Sequence, residues 1–259
     1  MICFGIDAGS RAIKAVLVES DTLEILASGV RDQGVQQDAL ARELFEELLD
    51  KAAMTREDVK RIVATGYGRN IVSFADTTIT EITCHAVGVR SEVPDAMTIV
   101  DIGGQDSKLI RLTGDGNVRD FAMNDRCAAG TGRFLEVVAQ RLGVELRTLG
   151  EMARKSTNRV TISSMCVVFA ETEIIGLLAD GTAPEDIVAG VQSSLASRVA
   201  GMAGRNVSPP VIFTGGVALV PGMKDALREA LGSEIHIAPD PQMTGALGAA
   251  ILAANQVEN

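Results

Sequence analysis

Two stretches of this chain follow one plan. FGIDAGSRAIKAVLVE at positions 4–19 and TIVDIGGQDSKLIRL at positions 98–112 each read as an apolar strand, an Asp, a glycine-rich turn, a Lys and a second apolar strand. A strand–turn–strand unit that restarts part-way along a chain points to two lobes related by internal duplication. The first lobe is expected over 1–95 and the second over 96–259, with the last helix able to pack back on the first lobe. Read alone, each Asp–Gly pair also fits a plain hairpin turn. A third glycine pair that follows a strand, Phe213-Thr214-Gly215-Gly216-Val217-Ala218, weighs against that simpler reading.

The hydrophobic periodicity fills in the rest. Strands are expected at Cys3–Asp7, Ile13–Glu19, Glu24–Val30 and Arg61–Thr65, the last ending at Gly66-Tyr67-Gly68. A helix over 38–53 places Leu40, Leu44, Leu48 and Leu49 on one face. Beyond Pro94, strands are expected at Met97–Asp101, Lys108–Leu112, Val118–Met123, Val211–Thr214 and Glu234–Ile237. Helices are expected at Thr131–Leu142, Val167–Ala179, Pro184–Ala203, Pro221–Leu231 and Thr244–Ala254. Strands interleaved with helices in this way define an α/β protein.

Composition narrows the function. The 26 glycines in 259 residues are about 10% of the chain, against an ordinary ~7%. Aromatic residues make up only 3%. Many tight turns and few stacking rings suit small ligands better than bases. A net charge of −10 disfavours nucleic acid, which demands clustered Lys and Arg. A bound anion must therefore be held by backbone amides and a metal. MICFGIDAGS has no basic leader and enters a strand at once, and no apolar run approaches the ~20 residues of a membrane helix. The expected setting is the cytoplasm, with neither membrane nor nucleic acid as partner.

The duplicated turns have a clear chemical use. An apolar strand carries its terminal carboxylate to where it can meet Mg2+ or a metal-bound water. The glycines after it let backbone N–H groups close on phosphate oxygens. Asp7-Ala8-Gly9-Ser10 and Asp101-Ile102-Gly103-Gly104 both fit, with Lys14 placed to neutralise a phosphate. There is no GxxxxGK[ST] loop, and no GxGxxG follows the first strand, which excludes a P-loop and argues against a Rossmann site.

These three segments resemble the phosphate-1, phosphate-2 and adenosine motifs of the actin, sugar-kinase and heat-shock-chaperone ATPase superfamily. The resemblance implies two ribonuclease-H-like lobes, each with a mixed five-stranded-type sheet flanked by helices, and ATP or ADP in the cleft of this actin-like fold. It implies that Asp7 and Asp101 organise Mg2+ and the attacking water, with Gln105 among the catalytic residues. Gly9, Ser10, Lys14, Gly103, Gly104 and Gln105 would face phosphates. Gly215, Gly216 and Val217 would lie against the nucleoside, and Pro241 and Gln242, within a 241–245 stretch, would line the adenine pocket.

Four cysteines are present, and none form a CxxC pair. Cys3 and Cys84 sit in apolar contexts and read as small core residues. Cys127, in MNDRCAAGTGRFLE, and Cys166, in TISSMCVVFAETE, both precede expected helices. A helix N-terminus offers positive potential that favours a thiolate or an anionic iron–sulfur cluster. A cubane cluster usually needs four thiolates, which two chains about a two-fold axis would supply. From the residues alone, two other readings stay open: the cysteines are buried spectators, or Cys127 to Gly132 form another glycine-rich phosphate loop. His85 reads as a satisfied core or surface histidine, whereas Glu171 and Glu173 read equally well as nucleotide-site groups and as solvated carboxylates at a helix start.

NDRCAAGTGRFLE, SSMCVVFAETE and DIGGQDSK together, with VATGYGR at 63–69 and TEITCHA at 80–86, resemble the activators of 2-hydroxyacyl-CoA dehydratases, which form one family with the benzoyl-CoA reductase ATPase subunits. The likeness runs end to end. It implies a homodimer that carries one [4Fe-4S] cluster on Cys127 and Cys166 of each subunit. It further implies reduced ferredoxin or flavodoxin as donor, and ATP-driven delivery of a low-potential electron to an acyl-CoA dehydratase or reductase component. Gly130, Thr131 and Gly132 are the expected joint between nucleotide and cysteine. A sugar kinase of the same superfamily and a non-catalytic nucleotide-dependent regulator are the alternatives.

Overall fold

The computed structural model describes residues 1–164, 166–204 and 207–257. The chain divides into two compact units. One comprises Met1–Asp95, Leu112–Val118 and the segment from Ala238 onward; the other comprises Ala96–Arg111 and Arg119–Ile237.

In the first unit, strands β1 (Ile2–Ala8), β2 (Ala12–Glu19), β3 (Ile25–Asp32), β4 (Val59–Thr65) and β5 (Thr77–Thr78) form one sheet in the order β3-β2-β1-β4-β5. β2 runs antiparallel to both β1 and β3, whereas β4 runs parallel to β1. Helix α1 (Gln37–Lys51) buries Ala41, Leu44, Phe45, Leu48 and Leu49, the face expected from its leucine spacing. These side chains cluster with Phe4, Ile6 and Ile62, and the Phe45 ring meets that of Phe4 edge-on at 4.7 Å. Cys3, Val16, Val18 and Val63 fall in the cluster that includes Cys84 and residues of α8 (Thr244–Asn255), because successive strand side chains point to opposite faces. α2 (Glu81–Glu92) packs against α8. The approach of α8 is close enough to require glycine at position 5, where a Cβ would lie 2.2 Å from the Ala246 carbonyl oxygen.

The second unit repeats the topology. Strands β6 (Thr98–Ile102), β7 (Ser107–Leu112), β8 (Val118–Asn124), β9 (Val211–Thr214) and β10 (Ile235–Ile237) lie in the order β10-β9-β6-β7-β8. β7 is antiparallel to β6, and β9 is parallel to it. The strand order matches that of the first sheet, and β7, β6, β9 and β10 repeat the relative senses of β2, β1, β4 and β5, so two ribonuclease-H-like lobes with mixed five-stranded sheets are present as expected. Helices α3 (Gly132–Leu142), α4 (Thr148–Lys155), α5 (Val167–Ala179), α6 (Pro184–Ala203) and α7 (Met223–Leu231) flank this sheet. Its core holds Phe134, Leu195 and Phe213, all fully buried. Truncating such a ring to Ala costs about 3–5 kcal/mol.

Sequence periodicity did not announce α2, α4 or the two-residue β5. The buried side of α2 is Cys84, His85, Ala86, Gly88 and Val89, small or polar residues but for the valine, so no large apolar stripe marks it. α4 is only eight residues long and carries Gly150, where a Cβ would strike the Pro221 carbonyl at 2.3 Å. Glycine lowers helix propensity by about 1 kcal/mol, and packing overrides it here. Among the described residues, no helix is long and apolar enough to cross a membrane.

Candidate functional site

Each sheet ends its central strand in a carboxylate that faces a lysine. In the first unit, Asp7 and Lys14 are register partners across β1 and β2, with Lys14 Nζ 3.1 Å from Asp7 Oδ2. Asp7 is 6% exposed. The turn between them closes when the Gly9 N–H donates to the Ala12 carbonyl at 3.1 Å, and Gln33 Nε2 donates to the Gly9 carbonyl at 2.8 Å. Ser10 is half-buried in the same turn.

The loop after β4 grips this turn. The Gly68 N–H donates to the Ala8 carbonyl at 2.8 Å. Gly66 has φ +87°, and a Cβ there would stand 2.2 Å from Asp7 Oδ1. Glycine is thus required both for the backbone conformation and for the space the carboxylate occupies. On the other side, a Cβ at Gly245 would lie 3.3 Å from both Asp7 Oδ2 and His85 Cε1.

The second unit builds the same arrangement more deeply. Asp101 and Lys108 are register partners across β6 and β7, and both are almost fully buried. Lys108 Nζ lies 3.2 Å from Asp101 Oδ2 and 2.8 Å from Asp106 Oδ2. Thr214 Oγ1 donates to Asp101 Oδ1 at 3.0 Å. Gly215 has φ +85°, and a Cβ there would be 2.8 Å from Asp101 Oδ1 and 2.3 Å from the Ile102 carbonyl. The Gly103–Asp106 turn closes through the Gly103 N–H to the Asp106 carbonyl, leaving Gln105 exposed at its apex.

The cysteine segment is fastened to that turn. The Gly132 N–H donates to the Gly103 carbonyl and the Arg133 N–H to the Gly104 carbonyl, both at 2.9 Å. Thr131 is fully buried. Upstream, Asn124 clasps Cys127 from both sides: its Oδ1 accepts the Cys127 N–H at 2.9 Å and its Nδ2 donates to the Cys127 carbonyl at 2.8 Å. Cys127 and Cys166 are exposed, whereas Cys3 and Cys84 are buried. Burial pushes the Cys84 thiol up to about 12.

Read along its whole length, the sequence matches the BadF/BadG/BcrA/BcrD ATPase family over residues 4–253. The chain belongs to that family. The (R)-2-hydroxyglutaryl-CoA dehydratase activating ATPase of Acidaminococcus fermentans is 47% identical over 251 residues, covering 96% of this chain and 95% of its own. A crystal structure of the Acidaminococcus fermentans (R)-2-hydroxyglutaryl-CoA dehydratase component A superposes with a TM-score of 0.95 at 44% identity, over all of both chains. The activator of the 2-hydroxyisocaproyl-CoA dehydratase from Clostridium difficile, with bound ADPNP, superposes with a TM-score of 0.94 at 42% identity. That match covers all of this chain and 96% of the other. The family resemblance drawn from the motifs is therefore borne out.

Within this BadF/BadG/BcrA/BcrD member, the residues expected at a nucleotide site fall into two groups. Asp7, Gly9, Ser10 and Lys14 gather in the first unit; Asp101, Gly103, Gly104, Gln105, Gly132 and Gly215 gather in the second. Gly216 and Val217 follow Gly215 in a short 3-10 turn, with Val217 buried. Pro241 is buried and Gln242 half-buried, just ahead of α8 in the first unit.

Both cysteines precede helices, as expected, but at different distances. Cys166 does occupy the N-cap of α5, but Cys127 opens a 3-10 turn over Ala128–Gly130, and α3 begins only at Gly132. The helix-terminus argument therefore reaches Cys166 alone. Among the described residues, no three His, Cys, Asp or Glu side chains of one chain gather as a metal site.

Three neighbours take defined places. His85 is buried, with Nδ1 2.9 Å from Thr244 Oγ1, a satisfied core histidine. Glu171 pairs with Arg141. Glu173 accepts the Ser163 and Ser164 N–H groups and the Ser163 hydroxyl, each at 2.8 Å. Burial opposes its ionisation, yet these bonds outweigh burial and bring its carboxyl down to about 2. Glu173 thus straps down the segment leading to Cys166. The sequence reading passed over Lys108 and Gly66. The signal for Lys108 was there, since it follows Asp101 at the spacing by which Lys14 follows Asp7.

Proposed function

We propose that this chain is an ATPase that couples ATP–Mg2+ hydrolysis to one-electron transfer toward a 2-hydroxyacyl-CoA dehydratase or a related acyl-CoA reductase component. One observation carries the reading: a single segment is hydrogen-bonded to the Gly103–Gly104 turn at Gly132 and Arg133 and presents an exposed, clasped Cys127 at its other end. A change in what the turn holds is thereby passed to the thiol, which is the differential contact that coupling demands.

Asp7 and Asp101 are hard oxygen donors suited to Mg2+, which takes one or two carboxylates and the substrate's phosphates. Lys14 and Lys108, now paired with those carboxylates, supply the positive charge that a phosphate would engage when it arrives. Gly9, Gly103 and Gly104 leave room for phosphate oxygens. Ser10 and Gln105 stand in the same turns to orient phosphate and attacking water. Gly215, Gly216, Val217, Pro241 and Gln242 are assigned to the nucleoside. Phosphoryl transfer to water needs positioning and charge neutralisation and no covalent nucleophile.

Cys127 and Cys166 fit an iron–sulfur cluster by donor type, being soft thiols and the exposed ones among four cysteines. Each chain offers two, so a [4Fe-4S] centre on four thiolates requires a homodimer. Such a cluster supplies one-electron transfer at low potential. The electron donor is a reduced ferredoxin or flavodoxin, and the setting is the cytoplasm.

The test is iron and acid-labile sulfide on anaerobically purified protein, beside a Cys127→Ser, Cys166→Ser variant. About four irons per dimer, lost in the variant, support the assignment. Iron-free protein that phosphorylates a sugar would replace it with the kinase reading.

A further inference from the structure

Helix α6 and the irregular segment 159–164 are pinned together at two points within the second unit. At one, a Cβ on Gly190 would lie 2.3 Å from the Val160 carbonyl oxygen, so the two backbones touch there. At the other, Arg198 donates from Nη2 to the Ser164 carbonyl at 2.9 Å. Both segments line a cleft of about 440 Å3. That lies within the roughly 300–1,000 Å3 of ordinary small-molecule sites. None of its lining residues is among those assigned to the nucleotide.

The walls of the cleft have one kind of chemistry. Gly190, Ser193, Ser194, Ser197 and Arg198 are spaced so that they share one face of α6. Three of them present hydroxyls, and Thr161 adds a fourth from the facing segment. Arg159 and Arg198 bring positive charge, and no carboxylate lines the cleft, in a chain of net charge −10. Arg159 is already served, since both its η-nitrogens donate to Glu229 at 2.8 Å. Arg198 is not. Among the described residues it forms no ion pair, and its bonds are those from Nη2 to Ser164 and, at 3.4 Å, to Ser194 Oγ. Its Nε is buried without a partner. A half-buried cation with no counter-charge and an unmet donor is costly to the fold alone, and a bound anion would offset that cost.

We propose that this cleft binds a small organic phosphate, held by the Arg198 guanidinium and the hydroxyls of Thr161, Ser193, Ser194 and Ser197. A guanidinium with several hydroxyl donors suits the three oxygens of a phosphate monoester better than the two of a carboxylate. Guanidinium–phosphate bonds are charge-assisted and among the strong ones. The cleft has room beyond the phosphate group for an organic part.

The experiment follows amide NMR spectra of the full chain, saturated with ADP–Mg2+, as phenyl phosphate, inorganic phosphate or acetate is added. Phenyl phosphate is expected to shift amides within 159–164 and 190–198 saturably. Inorganic phosphate should shift the same amides more weakly, and acetate should not saturate them. Arg198→Met should weaken phenyl phosphate at least about tenfold. Ser197→Asp puts a carboxylate at an exposed position on the same face and should do likewise; it carries the test if Arg198→Met fails to fold. Shifts confined to the nucleotide turns overturn the proposal, as does undiminished affinity in either folded variant. Saturation by acetate at equal affinity overturns the phosphate assignment, and inorganic phosphate binding as tightly as the ester overturns the organic one.

Discussion

Lys108 lies 3.2 Å from Asp101, and the two side chains are 3% and 4% exposed. The corresponding pair in the first unit, Lys14 and Asp7, is looser, at 18% and 9%. Breaking a buried pair by removing one partner strands a charge, at about 3–5 kcal/mol. Lys108→Met should therefore lower stability by that amount, and Lys14→Met by clearly less. The double variant Asp101→Asn, Lys108→Met should recover much of the loss. Urea denaturation of the four proteins checks the order; equal losses in the two single variants would show that burial does not distinguish the pairs.

Gly66→Ala tests the loop that presses on Asp7. An alanine at φ +87° is strained by about 1 kcal/mol or more, and its methyl would need the space of Asp7 Oδ1. The carboxylate must turn away, so affinity for ATP–Mg2+ should fall at least tenfold, about 1.4 kcal/mol. Gly114→Ala, where a methyl meets nothing within 4 Å, should leave affinity unchanged. Titration calorimetry reads both; full affinity in Gly66→Ala would remove Asp7 from the nucleotide assignment.

Thiol labelling of the metal-free protein should divide the cysteines two and two. Cys127 and Cys166 are exposed and should react within minutes at pH 8. Cys3 and Cys84 are buried, and burial raises both thiols, that of Cys84 to about 12. They should react only on unfolding. Mass spectrometry of alkylated peptides decides it, and rapid modification of Cys84 in folded protein would contradict the packing of α2 on α8.

Glu92 should give the protein a pH-dependent stability near neutrality. Burial first, then the Asp240 carboxylate, push its carboxyl from 4.5 up to about 7, and its Oε2 is buried without a partner. A carboxyl raised on folding favours the native state most when protonated. Its contribution is intact below about 4.5, falls as pH rises to about 7, and is flat beyond. Glu92→Gln should therefore match the parent at pH 4.5 and exceed it above pH 7, by about 1 kcal/mol once solvent screening of a half-buried group is allowed for. Melting curves across that range test it; a constant difference at all pH values would exclude titration of Glu92 as the cause.

Much of the fold could be read along the chain because strand alternation, helix spacing and glycine turns are local signals. α5, α6 and β9 begin and end where their sequences place them. The duplicated Asp–turn–Lys plan likewise foretold two sheets of one topology, and the two cysteine motifs pointed to the family. The remainder depended on residues far apart in sequence. Gly5 and Gly88 are glycines because α8 passes against them, with a Cβ at Gly88 falling 2.0 Å from the Thr244 carbonyl. Gly66 is fixed by Asp7, and Arg198 is bonded to the distant Ser164 carbonyl. Local chemistry therefore determined the elements and the ligand-facing turns. Only long-range packing decided which side chains hold those turns in place, because a Cβ-sized gap or a single hydrogen bond is set by both partners at once.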